Sequence, residues 1–155
     1  MRNRHGGSSI AAIPRVAIPS SANVRELEAL TPAFMSWYVQ HPFSTDADEV
    51  LAGLKLFFRF YPEIGENRSI AALDPAEVAA RLASLIIHTV HEGVMATYSL
   101  MQFMRFLEDS GLWSGNPESY RAVTGVLTDI ICLDMRARVS GGTETAAMVT
   151  AAPAN

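Results

Sequence analysis

The side chains able to do chemistry are few and scattered. His88, His91 and Glu92 spell H-x-x-H-E, and two histidines three apart on a helix point to one side and could share a divalent metal. The order differs from the H-E-x-x-H and H-x-x-E-H arrangements of zinc hydrolases. A di-iron bundle needs Glu-x-x-His twice, and the chain has no Glu-x-x-His. Both histidines also fall in phase with Glu77, Arg81 and Ser84, the polar side of an amphipathic segment, whereas bundle metals are held from the inward side. The expectation is therefore no metal and no cofactor. The single thiol, Cys132, lies late in a helical segment among Ile130, Ile131 and Leu133, where the helix dipole disfavours a thiolate. It is expected to be a small buried hydrophobe. No G-x-S-x-G elbow, G-x-x-x-x-G-K-[ST] loop or G-x-G-x-x-G turn occurs, so neither an activated serine nor a phosphate cradle is indicated. Asp46, Asp48 and Glu49 cluster at a helix start, where acids complement the macrodipole. Nothing here names a reaction.

Two features point to recognition instead. Trp113 sits in the loop Leu112-Trp113-Ser114-Gly115-Asn116, between a helix stop and the next cap; aromatic anchors are favoured contact residues. Large apolar residues are also in surplus on two segments, with Phe57 and Phe60 on the first and Met101 and Met104 on the second. More apolar surface than one small bundle hides implies a homo-oligomer or a partner protein. The bland alternatives are that Trp113 folds over the end of the core and that the two segments are the interior pair.

These residues must be positioned by helices. Thr31-Pro32, Asp74-Pro75 and Asn116-Pro117 each offer a capping residue followed by proline at the first helical position. Asp74 has Glu77 at the capping-box spacing, and Asn23 with Glu26 and Thr45 with Asp48 repeat it more weakly. Ser110-Gly111-Leu112 is a glycine stop, with Leu112 available to fold back on the last turn. From Ala47, apolar residues recur at Val50, Leu51, Leu54, Phe57, Phe58 and Tyr61, a 3–4 stripe. Leu56 and Phe60 lie off it, so this helix is central or partner-covered. Residues 75–109 read as one helix or two. A single 35-residue helix would be about 52 Å long, so a break at Glu92-Gly93 is favoured. A last helix spans Pro117 to about Met135. No alternating strand pattern appears. The fold predicted is an all-α bundle of about four main helices plus a short N-terminal helical pair, with flexible tails at both ends.

Charge divides the chain. Residues 1–25 carry Arg2, Arg4, Arg15 and Arg25 and no acid, while the remainder holds all 16 acidic residues and should repel phosphates. Residues 1–21 read as a disordered basic arm, 22–136 as the helical domain and 137–155 as a disordered tail. Pro14 and Arg15 split the mildly apolar part of the arm, so it is a poor secretion signal. No apolar run reaches the ~18–20 residues that span a bilayer. Arginine outnumbers lysine 11 to 1, which suggests a GC-rich, bacterial coding sequence.

The stretch Gly93–Pro117 resembles part of the helical core-binding domain of tyrosine recombinases. There a Thr-led helix carries an F-x-x-F/L pair, followed by a glycine stop and Asn-Pro. Thr97, Phe103, Phe106, Leu107, Gly111, Asn116 and Pro117 occupy similar places, over about 25 residues. The resemblance implies a DNA-associated helical domain. No counterpart of that family's Arg/His/Tyr catalytic domain follows, and the acidic body departs from its basic clamp.

The expected function is a non-enzymatic, cytoplasmic protein–protein interaction or regulatory module that self-associates. The alternative is a nucleic-acid accessory protein working through Arg2, Arg4, Arg15 and Arg25.

Overall fold

Local capping decides where each helix begins. In the computed structural model, which describes residues 21–41, 43, 45–62 and 69–149 and the side chains of these to residue 140, five helices follow one another: α1 (Ala22–Tyr38), α2 (Ala47–Phe60), α3 (Pro75–His88), α4 (Val90–Asp109) and α5 (Pro117–Val149). The all-α bundle is as expected, and no strand occurs among the described residues. Asp74 accepts hydrogen bonds from the backbone N–H groups of Ala76 and Glu77 at 2.9 and 3.0 Å, and Asn116 accepts one from Ser119 at 2.6 Å. At the end of α4 the N–H of Leu112 reaches Leu107 O at 2.8 Å and that of Gly111 reaches Glu108 O at 3.0 Å. This paired closure requires a left-handed residue, and Gly111 supplies it with φ +65°.

Three expectations are corrected. The short N-terminal pair is one helix, because Pro32 lies inside α1 instead of starting a second helix. Proline forfeits the bond to the carbonyl four residues back; here that residue, Glu28, is exposed like Pro32, so the freed carbonyl is on the solvent side. Thr31 accordingly does not cap but donates its hydroxyl to Leu27 O at 2.9 Å. Ser21 caps α1 and Asp46 caps α2, in place of Asn23 and Thr45. The α3–α4 break is real but falls at Thr89, in extended conformation with φ −151° and ψ 103°, rather than at Glu92-Gly93. Gly93 serves the corner differently. A Cβ there would meet Ile86 N and Cα at 2.7 and 2.8 Å, so glycine lets the first turn of α4 lie against the backbone of α3.

α4 is the central element and contacts the other four helices. Its Leu100, Phe103, Met104, Phe106 and Leu107 are at most 1% exposed. α2 and α4 are thus the interior pair; on the second apolar side of α2, Leu56 packs against the core while Phe60 stays 52% exposed. The two helices approach closely where Gly53 faces Ser99: an added Cβ would lie 2.9 Å from Ser99 Cβ and 3.2 Å from Met95 O. Aromatic rings then link three helices, from Phe34 to Phe106 at 5.4 Å, Phe34 to Phe103 at 6.0 Å, Phe103 to Phe58 at 5.7 Å and Phe58 to Phe57 at 5.1 Å. Edge-on and tilted pairs of this kind add about 0.5–1.5 kcal/mol each beyond their burial. The chain between α2 and α3 is tied to α1 by polar groups. Asn23, 2% exposed, donates to Tyr61 O and Pro62 O at 3.1 Å each, and Glu26 accepts from the Ser69 hydroxyl and, at 3.0 Å, from Ile70 N.

α5 packs through Tyr120, Val123, Leu127 and Ile130. It continues to Val149, past the expected end near Met135. No proline interrupts it before Pro153, but the stretch mixes alanine and arginine with Gly141-Gly142, Thr143, Thr145 and valines, so propensity alone does not account for the extension.

Candidate interaction surface

The break at Thr89 separates the two histidines. His88 ends α3 and His91 stands in the first turn of α4; both are exposed, and they no longer share one helix. His88 Nδ1 lies 2.8 Å from Ser84 O; a carbonyl only accepts, so that nitrogen carries the proton. Among the described residues no group of three or more His, Cys, Asp or Glu is arranged to hold a metal. Asp46 is a helix cap, and Asp48 and Glu49 occupy the first turn of α2.

Phe57 and Met104 are removed from the expected contact surface, since both are fully buried. Hydrophobic burial of such side chains is worth roughly 1.5–3 kcal/mol each, and α2 and α4 realise it against each other. Met101 is half-buried against the same core. Trp113 folds over the bundle end: its ring meets Tyr120 edge-on at 5.5 Å and its Nε1–H donates to Asn116 O at 3.2 Å. Phe60 alone of these stands largely out, at 52% exposure, and its ring is flanked by the guanidinium groups of Arg81 at 4.7 Å and Arg59 at 5.3 Å. Burial pulls the Arg81 guanidinium below its usual value, and its buried Nε has no hydrogen-bond partner. Arg25 is exposed on α1; Arg2, Arg4 and Arg15 lie outside the described residues.

The positions of the recombinase resemblance are structural in this chain. Thr97 does not lead a helix but sits inside α4, fully buried, with its hydroxyl donating to Gly93 O at 2.7 Å. Phe103, Phe106 and Leu107 fill the core.

Sequence reasoning missed two places. Trp37 Nε1–H donates to the Asp109 carboxylate at 3.1 Å, and His41 Nε2 lies 3.9 Å from the same oxygen. The imidazole lies against the indole at 4.3 Å, and its Nδ1 donates to Trp37 O at 2.7 Å. This cluster ties the C-terminal end of α1 to that of α4. The i, i+4 spacing of Trp37 and His41 was visible; Asp109, 72 residues away from Trp37, had no local signal. The other place is the outer side of α5. Cys132 is exposed there, contrary to expectation, because α5 turns Val123, Leu127 and Ile130 inward and leaves the opposite side to solvent. Leu133, Met135 and Val139 are 63%, 57% and 73% exposed. They belong to the part of α5 that runs beyond the last residue packed on the core, Ile130.

Geometrically, the described residues offer apolar contact surface, not an assembled set of reacting groups. No helix among them is long and apolar enough to cross a membrane. Compared with protein-family models, curated proteins and solved structures, the chain matches none.

Proposed function

We propose that the chain is a non-enzymatic helical interaction module that self-associates through the distal half of α5. One observation carries this reading. α5 extends past Ile130, where its packing on the core ends, and still presents Met135 and Val139, four positions apart on one side of the helix, with more than half of each exposed. A helix this far from a core gains little from propensity alone, since most helical stability in proteins comes from packing an apolar face. Apolar residues placed together on such a helix are used when another surface covers them. The contact surface is therefore assigned to α5 and not to α2 and α4, where Phe57 and Met104 are buried and the exposed Phe60 is flanked by Arg59 and Arg81.

The test is sedimentation equilibrium of the full chain over a concentration series, beside the variant carrying Met135→Ser and Val139→Ser. These side chains lie outside the core, so the bundle of the variant stays folded, with the parent's thermal midpoint at low protein concentration. The parent associates with rising concentration and the variant does not. A parent that stays monomeric throughout overturns the reading.

A further inference from the structure

Exposed residues recur along the outer side of α5 in alternating steps of three and four: Gly125, Thr128, Cys132, Met135 and Val139. They share one side of the helix, a seam on which Met135 and Val139 are the large apolar members and Gly125, Thr128 and Cys132 are small enough to let a second helix approach closely. A Cβ added at Gly125 would meet nothing within 4 Å, so the seam is open at its proximal end as well. Asp129 and Arg136 are both exposed and, seven positions apart, lie along the same flank of the seam. The other flank carries Ile131 and Arg138, and Arg138 is already neutralised by Asp134, its Nε 2.9 Å from the carboxylate. The two orientations of a second α5 treat these charges differently. In a parallel pair, one flank meets the other, which sets Arg136 against Ile131 of the partner chain. In an antiparallel pair, like flanks meet, and a two-fold axis between Cys132 and Met135 sets Asp129 against Arg136 twice.

We infer that the occupant of this seam is a second copy of the chain, paired antiparallel along α5, with Cys132 layered on Met135 of the other copy and two symmetric Asp129–Arg136 ion pairs on its edge. The inference rests on the self-association proposed above and supplies its geometry. Isologous pairing of this kind closes on itself and stops at a dimer. From Gly125 to Val139 the seam is about 22 Å long, a short interface that suits a dissociable dimer.

Charge exchange tests it in the full chain by sedimentation equilibrium. Asp129→Arg or Arg136→Asp alone replaces two attractive contacts with two repulsive ones and weakens dimerisation by about tenfold or more. The double exchange restores the parent's affinity to within a few-fold. A dimer indifferent to the single changes, or not rescued by the double, overturns the antiparallel register while leaving self-association standing. A parent that never dimerises overturns both. Oxidation with diamide gives an independent reading. The antiparallel register separates Cys132 from its own copy, and a disulfide needs Cα atoms within about 7 Å. Parent dimers therefore stay uncrosslinked, and Met135→Cys makes them crosslink to Cys132. Efficient Cys132–Cys132 crosslinking in the parent overturns the register.

Discussion

Single side chains hold this fold at points where no substitute fits. Asn23 is one: its buried amide is donor to two backbone carbonyls, Tyr61 O and Pro62 O. Asn23→Asp keeps the shape and removes both donors. It should destabilise by about 1–3 kcal/mol, read as a lower urea midpoint. Gly53 is another, because a methyl there meets Ser99 Cβ and Met95 O across the α2–α4 approach. Gly53→Ala gains a few tenths to 1 kcal/mol of helix propensity and loses more to overpacking, for a net cost of about 1–2 kcal/mol. A rise in the thermal midpoint would refute that. Two tyrosines add a pH dependence. Burial, with the Asp46 carboxylate adding to it, pushes Tyr38 above its ordinary 10.0; burial and the hydrogen bond to Glu108 push Tyr120 the same way. The folded chain holds both phenolic protons more tightly than the unfolded chain does. Their contribution is complete below about pH 10 and is lost as pH climbs above it. The urea midpoint should fall as pH rises above about 10, and less steeply in Tyr38→Phe; equal slopes would remove Tyr38 from the account.

At the scale of elements, what could be read from the sequence was what local chemistry decides. Asp74-Pro75 and Asn116-Pro117 start helices, and Gly111 ends one, because a cap or a positive φ depends only on a few neighbouring residues. The start of α2 at Ala47 was legible from its stripe. Elsewhere, tertiary contacts overrode the local signal. Thr31-Pro32 looks like a cap, yet packing of Leu27 and Phe34 on one face carries α1 through it. Thr89 breaks the long α3–α4 run without any side-chain cap bond, so its sequence shows nothing, and Gly93 drew attention to itself for a reason that belongs to Ile86. The outer surface of α5 was illegible because which side of a helix is exposed depends on how that helix is rotated in the bundle. Gly93→Ala should therefore act through the corner. Its Cβ meets backbone atoms, which yield less than a side-chain tip, so it should cost more than Gly53→Ala, with faster amide exchange around Ile86–Thr89 as the local sign. Equal exchange there would show that the corner accommodates the methyl.

For the whole molecule, the bundle is organised around α4 and the proposed contact around α5, which touches it. Dimerisation stabilises the folded state by mass action. The thermal midpoint of the parent should rise with protein concentration, and that of the Met135→Ser, Val139→Ser variant should not. Concentration-independent midpoints in both would speak against the module. One further property follows from where the chain's two tryptophans stand. Trp37 is tied to Asp109 at the end of α4, and Trp113, just beyond that end, bonds through its backbone N–H to Leu107 O inside α4. The indoles thus watch the same end of the central helix from two sides, one through the docking of α1 and the other through the loop into α5. Trp37→Phe and Trp113→Phe convert the protein into two single-colour reporters. Coincident fluorescence transitions would mean that α1 and α5 leave α4 together, as in an all-or-none unit; an earlier change at Trp37 would mark α1 as the first piece to detach.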